Sequence, residues 1–238
     1  MRTLEDMDIH GSWPVVLMNI FPAIFLFPLI VRPLAAFNNE VKHALFAGIF
    51  VGIGLAFYTV AMLETSVLRA TLLFYLTPIW STLLGLIILS EPFTKIRVAA
   101  ILVGLAGCFC LLSPGIQQAV PLNIGDIYGV SAGVFWAIGA TCMKRWPQSP
   151  VLLITWFQCL STIIVSALLA EYIFNADVPA FGDILDTLPI TVVASVIILL
   201  PSTIVLMTIS QILYPGRVGV LMMSEVLVAI FSASLLLP

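Results

Sequence analysis

Long apolar runs are the sequence feature that most limits how this chain can fold. Runs such as residues 70–89 and 192–209 are largely apolar on every side, so helices built from them have no polar face to turn toward water. Of the 238 residues, 61% are hydrophobic and 9% are charged, whereas a soluble domain carries about 25% charged residues. The solvent for most of this chain must therefore be lipid, which argues against a soluble enzyme or a disordered chain.

The apolar runs have the length of membrane-spanning helices. A bilayer core about 30 Å thick is crossed by about 20 apolar residues in a helix, and polar or Pro/Gly breaks divide the sequence into eight such segments. We predict spans at 14–32, 43–63, 69–90, 96–113, 126–144, 150–172, 188–212 and 217–237. Strands of a membrane barrel are about 10 residues long and alternate in polarity. The sequence therefore predicts an all-α, polytopic membrane helical bundle with eight transmembrane helices.

The distribution of cations predicts the orientation of these helices. Seven of the nine Lys and Arg residues lie in one set of alternate connections, and cytoplasmic loops retain such residues. Positions near Lys95, Lys144 and Arg217 are therefore predicted to face the cytoplasm, and positions near Gln117 and Asp183 to face outward. The apolar composition makes the lipid bilayer the expected partner. The cations form no basic patch, so we expect no nucleic-acid partner.

Small residues in two spans predict close helix packing. Gly48 with Gly52, and Gly129 with Gly133, form GxxxG pairs. Such pairs let helix backbones approach closely where lipid offers no hydrophobic drive for association.

The four cysteines show no CxxC spacing and HExxH is absent from the sequence, so we expect neither a metal nor a cofactor.

The third span has a more specific pattern. Ser66 to Thr94 reads SVLRATLLFYLTPIWSTLLGLIILSEPFT, a helix with a central proline and a terminal Leu-Ser-Glu, and a glycine-bearing span follows it. This pattern resembles the EamA-like family of the drug/metabolite transporter superfamily. The final span, Pro215 to Pro238, resembles the corresponding helix in the second half of that family, where a Glu commonly stands at the position of Glu225.

The resemblance implies a duplicated architecture of ten helices in two inverted five-helix repeats. Residues 1–113 would be the first repeat without its first helix, and residues 114–238 the second repeat without its last helix. Setting Arg69 against Arg217 also aligns Leu73 with Leu221, as expected for duplicated halves.

Glu225 is the first candidate site residue because it is the only charged residue well inside a predicted span. It lies eight residues beyond Arg217, about 12 Å along a helix. A carboxylate at that depth marks a substrate or proton site by default. The alternative is a neutral Glu hydrogen-bonded between helices.

Further polar and aromatic groups inside the spans could line the same cavity. On the third span they recur at helical spacing, and other spans contribute single residues. The predicted substrate-binding set is Glu225, Tyr58, Phe74, Thr77, Pro78, Ser81, Trp136 and Ser202. The alternative for each aromatic residue is ordinary helix packing.

The resemblance and the buried carboxylate together indicate a secondary membrane transporter. We expect an exporter of amino acids or other small metabolites that works by alternating access through a central cavity, with protons as a further partner, in the bacterial inner membrane. One alternative is a non-transporting fragment, since two end helices are missing from the expected ten. The other is an intramembrane enzyme, which is disfavoured because the spans hold no pair of aspartates and no Ser/His pair.

Overall fold

Apolar helices follow one another through the part of the chain that the computed structural model describes, residues 11–35, 38–92, 94–95, 98–99, 101–103, 105–107, 110 and 122–223. That part contains no strand, in agreement with the predicted all-α class. The helices are α1 (Trp13–Ala35), α2 (Asn39–Glu64), α3 (Val67–Phe74), α4 (Thr77–Leu89), α5 (Ile124–Arg145), α6 (Val151–Tyr172), α7 (Phe181–Val192), a π-helical segment (Val193–Leu199) and α8 (Leu200–Ile212). Residues 215–223 are helical as well.

Six stretches of the described chain are long and apolar enough to cross a membrane: Trp13–Ala35, Asn39–Glu64, Arg69–Leu89, Ile124–Arg145, Val151–Tyr172 and Phe181–Ile212. They confirm six of the predicted spans. Half of the predicted span at 96–113 and two thirds of the one at 217–237 lie outside the described residues, so the count of eight and the inverted repeat stay predictions.

The last of these six spans starts earlier than the sequence pattern predicts. It begins at Phe181 rather than at 188. The Asp183 carboxylate accepts a hydrogen bond from the Ala180 backbone N–H at 3.2 Å, which supports the first turn of α7 by satisfying an N–H that has no partner within the helix. Pro189 lies inside α7 and does not mark its start.

Glycines set the close contacts around α2, which packs against both α5 and α6. A Cβ atom on Gly52 would lie 2.6 Å from the Gln158 carbonyl oxygen of α6, and one on Gly48 would lie 2.7 Å from the Ile154 carbonyl oxygen. On the α5 side, a Cβ on Gly139 would lie 3.1 Å from the backbone nitrogen of Val51. The backbones therefore touch where the sequence has glycine, which confirms the predicted role of the first GxxxG pair.

Two of the spans are interrupted at proline. The third span breaks between α3 and α4, just before Pro78, and the π-helical segment Val193–Leu199 ends just before Pro201. Proline has no N–H for the helix ladder, and its ring crowds the preceding turn. In the π-helical segment the backbone N–H of Leu200 donates to the Ser195 carbonyl, five residues back. Both spans therefore contain a turn with non-α geometry.

The outer surface of the described helices is apolar. On α1, Ile24, Phe25 and Phe27 are 64%, 55% and 51% exposed. Exposed side chains of this size suit contact with lipid tails rather than with water. The fold is thus a bundle with glycines at its close helix contacts and many large apolar side chains on the surface that faces the bilayer.

Candidate functional site

Three aromatic rings from three helices meet inside the bundle. The ring centroids of Tyr58 (α2) and Phe74 (α3) are 4.5 Å apart, and those of Phe74 and Trp136 (α5) are 6.5 Å apart. Phe74 and Trp136 are buried, while Tyr58 is half-buried and its hydroxyl lies 3.2 Å from Thr71 Oγ1. We call Tyr58, Phe74 and Trp136 the ring cluster. It offers ring faces and one phenolic hydroxyl within the membrane.

The ring cluster adjoins the break between α3 and α4. In a continuous helix the Phe74 carbonyl would accept a hydrogen bond from residue 78, but Pro78 has no N–H. The Thr77 hydroxyl donates to that carbonyl instead. Across the break lies Gly133 of α5, where a Cβ atom would be 2.9 Å from Thr77 Oγ1 and 3.2 Å from the Phe74 carbonyl oxygen. The second glycine of the other GxxxG pair therefore makes room for the break.

Two more hydroxyls are buried on α4, one turn beyond the break. Ser81 and Thr82 are 1% and 8% exposed. Their hydroxyl oxygens have no hydrogen-bond partner among the residues that the structure describes. A buried hydroxyl without a partner is costly, so these two groups are suited to accept or donate hydrogen bonds to a bound molecule.

Residues 215–223 pack against α4 at its proline. A Cβ atom on Gly219 would lie 2.9 Å from the Pro78 Cα and 3.1 Å from its Cγ. The last described helix therefore lies beside the same interrupted span. Glu225 falls outside the described residues, so its predicted role as substrate contact stays a prediction.

The structure brings together most of the predicted site residues that it describes. Tyr58, Phe74, Thr77 and Trp136 are neighbours, and Pro78 and Ser81 continue the buried face of α4. Ser202 does not share their burial. Its side chain is exposed, and its hydroxyl donates to the Ile198 carbonyl of its own helix at 2.8 Å.

A second polar feature is one that the sequence reasoning missed. A cavity of about 390 Å³ lies between α1, α2, α6 and the junction of the π-helical segment with α8. Its lining includes Asn19 and Gln158, which are joined by a hydrogen bond from Gln158 Nε2 to Asn19 Oδ1 at 3.2 Å. A search for amide side chains within the apolar runs would have found both residues, because amides in spans hydrogen-bond across helices.

Charged groups sit at the helix ends. Arg69 Nε lies 2.7 Å from Asp126 Oδ1, joining the start of α3 to the start of α5. Asp126 also accepts a hydrogen bond from the Asn123 backbone N–H at 3.0 Å. Within the described ranges, no group of three His, Cys, Asp or Glu side chains could hold a metal ion.

The fold and these sites define a polytopic α-helical membrane protein with polar and aromatic groups buried between its spans. Residues 8–113 match the model of the EamA-like transporter family. This part of the chain belongs to that family, and membership of the drug/metabolite transporter superfamily follows from it. The match confirms the resemblance seen in the third span, and it indicates a membrane transporter of small molecules.

A solved structure described only as the crystal structure of a protein shares the fold. The two agree with a TM-score of 0.57 at 20% sequence identity, over 95% of this chain and 90% of the other. At that identity the likeness shows the fold alone. The comparison with curated proteins gives no match.

Proposed function

We propose that the protein is a secondary transporter that exports amino acids or other small metabolites by alternating access. The observation that supports this most directly is the ring cluster beside the interrupted third span. Many transporters bind substrate near the bilayer midplane, at helices whose backbone is broken. Irregular backbone is tolerated at membrane depth where protein covers it or where it lines a water-filled cavity.

The chemistry of this site suits a small organic molecule. The faces of Tyr58, Phe74 and Trp136 can hold an apolar group or an ammonium group, since aromatic rings attract cations. The hydroxyls of Ser81 and Thr82 can bond to polar atoms of the same molecule. We propose that Glu225 supplies a carboxyl group that exchanges a proton or binds a cationic group of the substrate.

The two non-α turns support the proposed alternation between inward-open and outward-open states. Kinks at proline and π-helical turns mark positions where a helix can change direction. The break before Pro78 and the π-helical segment before Pro201 divide two different spans. We propose that these two positions absorb the bending between states.

We also propose that the chain consists of two repeats and lies in a bacterial membrane. The family match over residues 8–113 ends where the first proposed repeat ends, and residues 114–238 are proposed as the second repeat. The protein is an integral multi-pass membrane protein, and we place it in the bacterial inner membrane.

Uptake into and efflux from proteoliposomes tests the proposal. The full chain would be reconstituted into liposomes. The proteoliposomes would be loaded with radiolabelled amino acids or other small metabolites, and flux would be measured with and without a pH gradient. Phe74→Leu should lower transport of the accepted substrate by about tenfold, because it removes the central ring of the cluster. Phe25→Leu is the matched control, since Phe25 is 55% exposed on α1. This variant should transport like the wild type.

Three results would count against the proposal. Absence of any pH-driven or exchange flux across the panel would favour the non-transporting alternative. Equal transport by wild type and Phe74→Leu would show that the ring cluster is packing. Chemical conversion of a metabolite by the reconstituted protein would favour the enzyme.

A further inference from the structure

The cavity between α1, α2, α6 and α8 is separate from the ring cluster. Thr59 of α2 lines the cavity, whereas the ring of the adjacent Tyr58 contacts Phe74 in the ring cluster. Successive residues of an α-helix point about 100° apart. The two sites therefore lie against different faces of α2.

A chain of hydrogen bonds fixes the orientation of the Gln158 side chain at this cavity. Both hydrogens of Nε2 are used, one on Asn19 Oδ1 at 3.2 Å and one on Thr162 Oγ1 at 3.1 Å. The Thr162 hydroxyl donates to the Gly52 carbonyl at 3.2 Å. These hydrogen bonds tie α1, α2 and α6 together. They fix the orientation of the Gln158 amide group and therefore the position of its oxygen, Oε1.

These bonds leave one strong donor and one strong acceptor at the cavity. Asn19 Nδ2 donates one hydrogen to the Val15 carbonyl at 2.9 Å, and its second hydrogen has no acceptor among the described residues. Gln158 Oε1 receives only the weak thiol donor of Cys159, at 3.9 Å, within the same part of the chain. A secondary or primary amide offers the complementary acceptor and donor.

The remaining lining is uncharged. Its side chains are apolar or carry a neutral hydroxyl or thiol, and the polar ones are Thr59, Thr155, Cys159 and Thr203. An ion entering a site of this kind would lose its hydration without gaining a counter-charge. The lining thus selects against ammonium and carboxylate groups and accepts an apolar body.

We propose that this cavity is a binding site for an uncharged carboxamide with an apolar chain, recognised by Asn19 and Gln158. The amide group would accept from Asn19 Nδ2 and donate to Gln158 Oε1, while the chain would fill the space beside Leu55 and Leu199. This proposal does not rest on the proposed function, because its test measures occupancy and not transport.

Photolabelling of the full chain in phosphatidylcholine nanodiscs tests the proposal. The probe is an N-alkylacetamide that carries an alkyl diazirine, and labelled residues are mapped by mass spectrometry. We expect labels on lining residues such as Leu55 and Leu199. N-hexylacetamide in excess should remove them, whereas hexylammonium and hexanoate at the same concentration should not.

Variants connect the labelling to the two amides. Asn19→Leu and Gln158→Leu should each lower labelling about fivefold, the loss expected for one buried hydrogen bond. Thr141→Val is the control, because Thr141 is buried on α5 and its hydroxyl donates within its own helix. The competition with wild-type protein stands independently if either leucine variant fails to fold.

A final competition identifies where the amide comes from. Displacement by N-hexylacetamide but not by N-oleoylethanolamine would assign a ligand that enters from water, and displacement by both would assign a site that is also open to amides of the bilayer. Labels spread equally over lipid-facing Ile24 and Phe25 would overturn the site, as would equal competition by hexylammonium. Wild-type labelling in both folded leucine variants would overturn the role of the amides.

Discussion

The hydroxyl of Thr77 bonds to the carbonyl of Phe74, the group that Pro78 leaves without a backbone donor. This relationship joins the break in the third span to the ring cluster, because Phe74 carries both the carbonyl and the central ring. A polar side chain thereby stabilises an interruption that lipid could not solvate. Thr77 is 2% exposed, so water has little access to replace it.

Thr77→Val should destabilise the fold by about 2 kcal/mol, since it leaves a buried carbonyl without a donor while keeping the size of the side chain. Thr77→Ser keeps the donor and should be milder. The measurement is the free energy of unfolding in a denaturing detergent titration. A valine variant as stable as the wild type would show that another group satisfies the Phe74 carbonyl.

Alanine at Gly52 or Gly133 should also lower stability, by about 1–3 kcal/mol. The added Cβ would lie 2.6 Å from the Gln158 carbonyl oxygen in the first case and 2.9 Å from Thr77 Oγ1 in the second. Gly182→Ala is the control, because nothing lies within 4 Å of a Cβ there. That variant should be neutral or gain up to about 1 kcal/mol from better helix propensity.

Folding yield and melting temperature in detergent would decide between these outcomes. Equal loss in all three alanine variants would mean that the effect comes from the helices themselves and not from contact between them. No loss at Gly52 would require α2 and α6 to lie farther apart than the structure has them.

Asp126→Asn should cost about 1–3 kcal/mol, since it removes the charge that faces Arg69 Nε at 2.7 Å and weakens the cap of α5. Asp186→Asn is the matched control, because Asp186 is exposed on α7. Thermal melting of both variants at neutral pH checks this. If Asp126→Asn melts at the same temperature as Asp186→Asn and the wild type, the ion pair adds no net stability.

The spans and their close contacts were the most predictable part of the fold. Apolar runs alone located six spans, because each needs about 20 apolar residues whatever its neighbours are. The GxxxG pairs likewise located Gly52 and Gly133 at backbone contacts. The start of α7 was not predictable from hydropathy, since it depends on the bond between Asp183 and the Ala180 N–H.

The sites depend on tertiary contacts that no local pattern contains. Asn19 and Gln158 are 139 residues apart in sequence, and only the packing of α1 on α6 joins them. The rings of Tyr58, Phe74 and Trp136 were predicted individually, but the contacts between them depend on how α2, α3 and α5 cross. Ser202 has the same residue type as buried Ser81, yet it lies exposed on α8, because the sequence does not specify which face of that helix turns inward.

Labelling of single cysteines in intact cells tests the predicted orientation. On a cysteine-free background, an impermeant maleimide should react with Asp186→Cys and not with Arg217→Cys. Both positions are exposed, so the difference reports the side of the membrane. Permeabilised cells supply the control, because both cysteines should then react. The reverse pattern in intact cells would invert the predicted orientation.

Glu225→Gln is the variant that we expect to damage transport most while leaving the fold intact. Glutamine keeps the size and the hydrogen-bonding capacity of the side chain but cannot change charge. If Glu225 exchanges a proton or binds an amine, the variant should fold, reach the membrane and lose transport by about tenfold, the effect of one charge-assisted interaction worth about 1.4 kcal/mol. The dependence of transport on pH should disappear with it.

Glu40→Gln is the control for this variant, since Glu40 is exposed in the first turn of α2. This substitution should leave both the transport rate and its pH dependence unchanged. A structural Glu225 predicts something different, because an amide fills the same space and still bonds between helices. Wild-type rates and an unchanged pH profile in Glu225→Gln, with normal protein levels in the membrane, would therefore assign the carboxyl group to packing.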